Sequence, residues 1–187
     1  MGRDKLLLKV GDAALLDRVY NAIAACCEDV LIVGAREHTH AGAHLIPDLR
    51  PCRQGPLAGI EAGLLAARHR HVFVTAGDMP FLTRGLIKYL LGLLSDRARA
   101  VVPDIGGKLH PLCAAYEREL RSEVSAALDR GVRSVSGLLK GLSGVRYVGE
   151  EELRRFGDPK LLLMNVNSPG DLVWARAMLR QDTSPGG

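Results

Sequence analysis

The sequence predicts an α/β protein: one Rossmann-like domain with a mostly parallel sheet and helices on both faces. Three observations predict it. Short apolar runs bounded by turn residues recur over 30–33, 72–76 and 100–102, the mark of strands buried on both faces. Between them lie stretches with apolar residues at helical spacing, and strands alternating with helices imply a parallel sheet between helical layers. Finally, the 187 residues contain no internal repeat and no dividing linker, and that length supports one full core. The domain is expected over 1–181, with a polar tail over 182–187.

Composition narrows the function classes. Hydrophobic residues make up 47% and charged residues 25%, as in ordinary globular proteins. Aromatics are only 4%, so the core must be built from Leu, Val, Ile and Ala. The net charge is +4, with Lys and Arg scattered, so no nucleic-acid surface is expected. No run approaches the roughly 18 apolar residues of a membrane span, and no signal peptide is recognisable. A cytoplasmic protein with no membrane partner is the expectation. The cysteines, Cys26, Cys27, Cys52 and Cys113, form no C-x-x-C pair, which argues against a zinc or redox motif.

In order, Leu6-Leu7-Leu8 leads to a turn at Gly11-Asp12, and Leu16, Val19, Tyr20 and Ile23 predict a helix over 13–26. A strand over 30–33 ends at Gly34. The loop over 35–43 contains His38 and His40, read as polar surface rather than as a metal pair. Leu45-Ile46 is extended and ends in Pro47-Asp48. A Gly- and Pro-punctuated loop then feeds a helix from Leu57 to Arg68. After the strand over 72–76, Thr83 caps a helix whose apolar face is Leu86, Leu90, Leu93 and Leu94. A strand over 100–102, a Gly106-Gly107 turn and an extended piece over 109–116 follow. Helices over 117–129 and 135–140 and a strand over 145–148 come next. The last helix opens at Ser168-Pro169 with Asp171 three residues on.

Several stretches can carry chemistry. Asp78, in Gly77-Asp78-Met79-Pro80, falls just past the carboxyl end of a buried strand, where open α/β sheets place ligands. Its carboxylate suits Mg²⁺ held between phosphates; it can equally begin a turn. Lys5 is a phosphate partner or a solvated lysine. Asp48 is a ligand contact or a turn former. Gly55-Pro56-Leu57-Ala58-Gly59 lets backbone approach a ligand, and a helix amino terminus there favours an anion. Asn165 and Asn167 flank one residue, so in an extended segment both point the same way.

Taken in order, M-G-R-D-K, P-D, G-P-L-A-G-I, G-D-M-P-F, H-P-L-C-A-A-Y and N-V-N-S-P-G-D-L resemble the molybdenum cofactor guanylyltransferases of the MobA type. That family belongs to the nucleotide-diphospho-sugar-transferase-like superfamily. The resemblance implies transfer of GMP from GTP to molybdopterin or Mo-molybdopterin, with Mg²⁺ as cofactor and release of pyrophosphate. It implies Lys5 on the triphosphate and Asp78 on the metal, these two being the catalytic residues. Asp48, Gly55, Pro56, Leu57 and Gly59 would lie on the nucleotide side. Asn165 and Asn167 would line the active site, and His110 with Pro111 the pterin side. Val33 stands where some members have an Asn on the nucleotide. Molybdenum-insertion proteins and apo-molybdoenzymes are the implied protein partners.

One departure concerns the front. Members open with a strand and a loop of the type L-x-G-G-x-S-x-R-M-G-x-x-K, and the tail of that motif stands here at residues 1–5. Without its first strand, the fold is expected to leave neighbouring strands unpaired in mid-sheet. An internal start site or a true truncation would account for it. The competing functions are cytidylyl transfer to the same pterin, another nucleotidyl transfer, and a pterin-binding or cofactor-delivery protein with impaired catalysis.

Overall fold

The computed structural model describes residues 5–34, 40–50 and 55–182. Residues 1–4, His38, Cys52 and the tail from 183 onward lie outside them, as does the side chain of Lys5. A 3-10 turn at Lys5–Leu7 leads to β1 (Lys9–Val10), β2 (Ala13–Ala14) and α1 (Leu15–Ala24). Next come β3 (Leu31–Val33), β4 (His44–Ile46), α2 (Pro56–Ala66), β5 (His71–Thr75) and α3 (Arg84–Gly92). β6 (Ala100–Ile105), β7 (Lys108–Leu109), β8 (Cys113–Glu117), α4 (Arg121–Asp129), α5 (Val135–Lys140) and β9 (Val145–Val148) follow. The chain closes with α6 (Glu150–Leu153), α7 (Pro159–Leu162) and α8 (Pro169–Asp182).

The first helix starts later than its apolar spacing predicts. Ala13 and Ala14 are taken into a hairpin with Lys9 and Val10, turned by Gly11 at φ +71°, a conformation that glycine adopts without strain. α6 and α7 were not expected. Each is a single turn, too short to show a helical period. Local bonds hold them: the Glu152 carboxylate reaches back to the Gly149 N–H at 3.4 Å, and Asp158 accepts from the Lys160 N–H at 2.9 Å.

The main sheet runs β5-β8-β6, with β7 on the far part of β6 and β9 parallel beside it. It is mixed rather than mostly parallel. β8 lies antiparallel to both β5 and β6. The reason is connection length. Gly106 and Gly107, at φ +59° and +82°, fold β7 straight back on β6. The short step to β8 leaves no room for the crossover that parallel strands need.

Strand alternation sorts the core into two layers. Phe73, Val101, Cys113 and Ala115 face Leu86, Ile87 and Leu90 of α3. Val72, Val74, Ala100, Val102, Ala114 and Tyr116 face Leu57, Ile60 and Leu64 of α2 and Val124 and Leu128 of α4. Helices therefore cover both faces, as the α/β class requires. A smaller cluster of Val10, Leu15, Phe81, Val166, Leu172 and Ala175 ties α8 to the loop after β5.

Between β3 and β5 the sheet is open. β3 pairs with β4 and β5 with β8, and among the described residues neither has a ladder partner on its other edge. Leu31, Ile32 and Val33 on one side and Val72, Phe73, Val74 and Thr75 on the other line a cleft of about 1760 Å³.

Candidate active site

Asp78 stands where its strand predicts. β5 ends at Thr75, and the Ala76 N–H donates to Leu112 O at 3.0 Å, anchoring the start of the loop. Asp78 is 5% exposed. Its Oδ1 accepts a hydrogen bond from Asn165 Nδ2 at 2.7 Å, and its main-chain oxygen accepts from the Val166 N–H at 2.9 Å. The segment before α8 thus docks on the Asp78 loop through side chain and backbone together. Arg18 of α1 adds a long contact from Nε to Pro80 O at 3.5 Å.

Gly77 sits in close packing. A Cβ there would stand 3.2 Å from Leu6 Cδ2, tighter than a side chain tolerates without a shift. That contact brings the 3-10 turn opened by Lys5 against the Asp78 loop. Asn165 and Asn167 part company: Asn165 is half-buried on Asp78, while Asn167 is exposed at the head of α8. There the Asn167 and Ser168 N–H groups donate to Asp171 Oδ2 at 2.9 and 2.8 Å, and the Asp171 N–H donates to Ser168 Oγ at 3.1 Å. These bonds hold the Asp171 carboxyl below its ordinary range.

Asp48 follows β4 and lines the same cleft as Gly34, Gly59 and Gly77. Gly34, at φ +75°, lets the carboxylate lie close: a Cβ there would be 3.1 Å from Asp48 Oδ1. Asp48 is exposed and makes no hydrogen bond or ion pair with the described residues. Val33 turns toward α2, where its Cγ2 would be 3.7 Å from a Cβ on Gly63.

Gly55 (φ +80°, ψ −175°) and Pro56 form the exposed start of α2, and Gly59 has open space beside it. Leu57 faces inward. Its side chain is fully buried in the core, so only its backbone can face a ligand. The helix is apolar nearly all round because it packs against β3, β4 and α4, and position 57 falls on a packed side.

His110 sits on the turn from β7 to β8. Its N–H donates to Pro103 O at 2.9 Å and its carbonyl accepts from the Cys113 N–H at 3.0 Å. Leu112, two residues on, bonds Ala76, so this turn adjoins the Asp78 loop. Burial, and then the Lys108 charge, push the imidazole below its ordinary value of 6.5 against the pull of Asp104, leaving it neutral at pH 7. Pro111 O accepts from the Tyr116 hydroxyl at 2.8 Å, which fixes the turn.

Two further features escaped the sequence reading. Glu61, on the otherwise apolar α2, is 3% exposed and bonded by Arg50. An acid inside the run L-A-G-I-E-A-G-L-L is the signal that could have found the pair. Asp104 Oδ1, near His110, is buried with no hydrogen-bond partner among the described residues; no pattern marks it.

Among the described residues no cluster of three or more His, Cys, Asp or Glu could hold a metal. His40, read from the sequence as part of a polar surface loop, stacks on Tyr20 with ring centroids 3.5 Å apart. The Asp78 carboxylate with an adjacent amide is a sparse set of hard oxygen donors. That set fits Mg²⁺, which takes one or two carboxylates and completes its shell with phosphate and water. No helix of the described residues is long and apolar enough to cross a membrane.

The family model described as "MobA-like NTP transferase domain" matches residues 1–144. The chain is 36% identical over 180 residues to a probable molybdenum cofactor guanylyltransferase of Pelotomaculum thermopropionicum, covering 95% of this chain and 86% of that one. It is 31% identical over 181 residues to the molybdenum cofactor guanylyltransferase of Desulfosudis oleivorans, covering 96% and 89%. Among solved structures it resembles molybdopterin-guanine dinucleotide biosynthesis protein A from Archaeoglobus fulgidus, with a TM-score of 0.78 and 26% identity over 96% of this chain and 92% of that one.

Proposed function

The chain belongs to the MobA-like NTP transferase family and is a nucleotidyltransferase, and from that premise we propose that it transfers GMP from GTP to molybdopterin or its molybdenum-loaded form. The observation that carries the reading is the Asn165–Asp78 hydrogen bond at 2.7 Å. It joins two distant motifs at the carboxyl edge of the sheet, beside the cleft that Asp48 and the start of α2 share.

The chemistry suits these groups. A terminal phosphate oxygen of the pterin attacks the α-phosphorus of GTP in line. The new P–O bond forms as the α–β phosphoanhydride breaks, and pyrophosphate leaves with the electron pair. The nucleophile is already anionic, so no general base is needed. The main barrier is repulsion between two anions, which positioned charges lower. Asp78 would hold Mg²⁺, which when bound neutralises phosphate charge. Asn165 fixes the Asp78 carboxylate through Oδ1, and Lys5 would meet the departing pyrophosphate. Asp48 and the start of α2 would receive the nucleotide. The neutral His110 would face the pterin without adding charge to that side.

The test is pyrophosphate release by the purified chain with molybdopterin and Mg²⁺, comparing GTP with CTP. Release with GTP, abolished by chelating the metal, is expected. Release with CTP alone would assign cytidylyl transfer instead. Pterin binding with no release from either nucleotide would leave a binding or delivery protein.

A further inference from the structure

We propose that Arg50 is a positioning residue for nucleotide binding: by clamping α2 and α4 it sets where Asp48 and the amino terminus of α2 stand. The inference rests on the reading that these two features receive the nucleotide. Arg50 lies on the loop between β4 and α2, two residues after Asp48 and five before Gly55. Its Nε and Nη2 meet Glu61 Oε2 and Oε1 at 2.6 and 2.7 Å. Its Nη1 donates to Asp129 Oδ1 at 2.7 Å, and Nη2 also reaches Ser125 O at 3.4 Å. Every nitrogen of the guanidinium is engaged.

The fork to Glu61 is bidentate, a geometry that fixes direction as well as distance. The Glu61 side chain is 4% exposed, so it cannot turn to water for another partner. Asp48, by contrast, has no hydrogen bond or ion pair of its own with the described residues. Its carboxylate stands against Gly34, and among the described residues of that loop Arg50 is the side chain that ties it to the helices. Lysine cannot replace the fork, since an ammonium is a point charge without two parallel donors.

A matched control exists elsewhere in the fold. Arg70 donates to Asp96 and to the buried Glu117, both at 2.9 Å. Glu117 pairs with His71 at the start of β5, the end of the strand opposite Asp78. Arg70→Ala therefore breaks a comparable ion pair at the end of β5 opposite Asp78.

The experiment measures GTP affinity with Mg²⁺ by titration calorimetry on the whole chain, and thermal stability, for wild type, Arg50→Ala, Arg50→Lys, Arg70→Ala and Asp48→Ala. Arg50→Ala is expected to weaken GTP binding by about 10- to 100-fold, the scale on which a misplacement near 1 Å acts. Arg50→Lys recovers only part of this loss. Arg70→Ala lowers thermal stability to a similar degree with GTP affinity kept within about twofold, and the double variant Arg50→Ala/Asp48→Ala loses less than the two single losses combined. If Arg50→Ala and Arg70→Ala both melt earlier and both bind GTP as the wild type does, Arg50 is merely structural and the inference falls. If the wild type binds no nucleoside triphosphate, the proposed function falls and the inference with it.

Discussion

Asn165 and Asp78, 87 positions apart in the chain, meet through a hydrogen bond of 2.7 Å, and the next residue, Val166, bonds the Asp78 main chain. The pair is held from behind by Phe81, Val166 and Leu172 in one apolar cluster. The carboxylate is therefore oriented by packing before any ligand arrives, and orientation paid for in folding is what electrostatic catalysis requires.

Replacing Asp78 by Asn keeps shape and removes charge. We expect Asp78→Asn to lower metal-dependent pyrophosphate release by at least about 100-fold while the circular dichroism spectrum is unchanged. Asn165→Ala should lower it less, and the double variant should lose no more than Asp78→Asn alone, because the amide acts through the carboxylate. Steady-state assays of the three variants check this. Additive losses would show that Asn165 has a separate task.

Leu57 and Gly55 lie two residues apart and should fail in different ways. Leu57→Ala empties a fully buried site and should cost about 2–5 kcal/mol of stability, with nucleotide affinity retained by the folded fraction. Gly55→Ala puts a side chain at φ +80°, which costs about 1–3 kcal/mol and moves the start of α2, so nucleotide affinity should drop. Urea unfolding alongside GTP titration separates the two. Weakened GTP binding in folded Leu57→Ala would mean that its side chain also shapes the nucleotide site.

Acid should expose the Arg50–Glu61 pair. The bonds from Arg50 hold Glu61 below its ordinary value of 4.5. A carboxylate whose folded pKa is depressed stabilises the fold above its unfolded pKa, and that stability is lost as pH falls through the folded value. Wild type should therefore exceed Glu61→Gln by up to about 3 kcal/mol at neutral pH, and the two should converge below about pH 4.5. Denaturant midpoints from pH 7 to pH 3 provide the measurement; parallel curves would contradict the assignment.

The open edges of β3 and β5 predict uneven hydrogen exchange. Amides of these strands that point into the cleft have no ladder partner among the described residues and should exchange in the fast, locally open class. Ala100 and Val101, central in the sheet between β8 and β9, should exchange only on global opening. Native-state exchange followed by NMR reads both. Strong protection on the cleft side of β3 and β5 would mean that another segment pairs there.

Much of the fold was legible because it is written in local pattern. The runs around Val72 and Val101 became strands, and Thr83 caps α3 by accepting from the Leu86 N–H at 3.3 Å. The direction of β8 was not legible, since an extended stretch carries no period that distinguishes parallel from antiparallel. Single-turn helices such as α7 are shorter than the window in which a helical period can be seen. Asp78 and Gly55 stand where their patterns put them, just past a strand end and at a helix start. That the Leu57 side chain faces the core was not legible, because being next to Gly55 in the chain does not tell which way a helical side chain points. Glu61 was passed over because its partner lies outside its own helix.

The sequence by itself determined the α/β class, the buried strands, the positions of the turns, and the motif set that marks a MobA-like NTP transferase. These follow from periodicity, turn chemistry and residue order, which act over a few positions at a time. Only the tertiary structure decided that Asn165 meets Asp78, that Arg50 clamps Glu61, that β8 runs antiparallel, and that a cleft separates β3 from β5. Those are contacts between segments far apart in the chain. Such contacts depend on how whole layers pack, and neither propensity nor spacing encodes them locally.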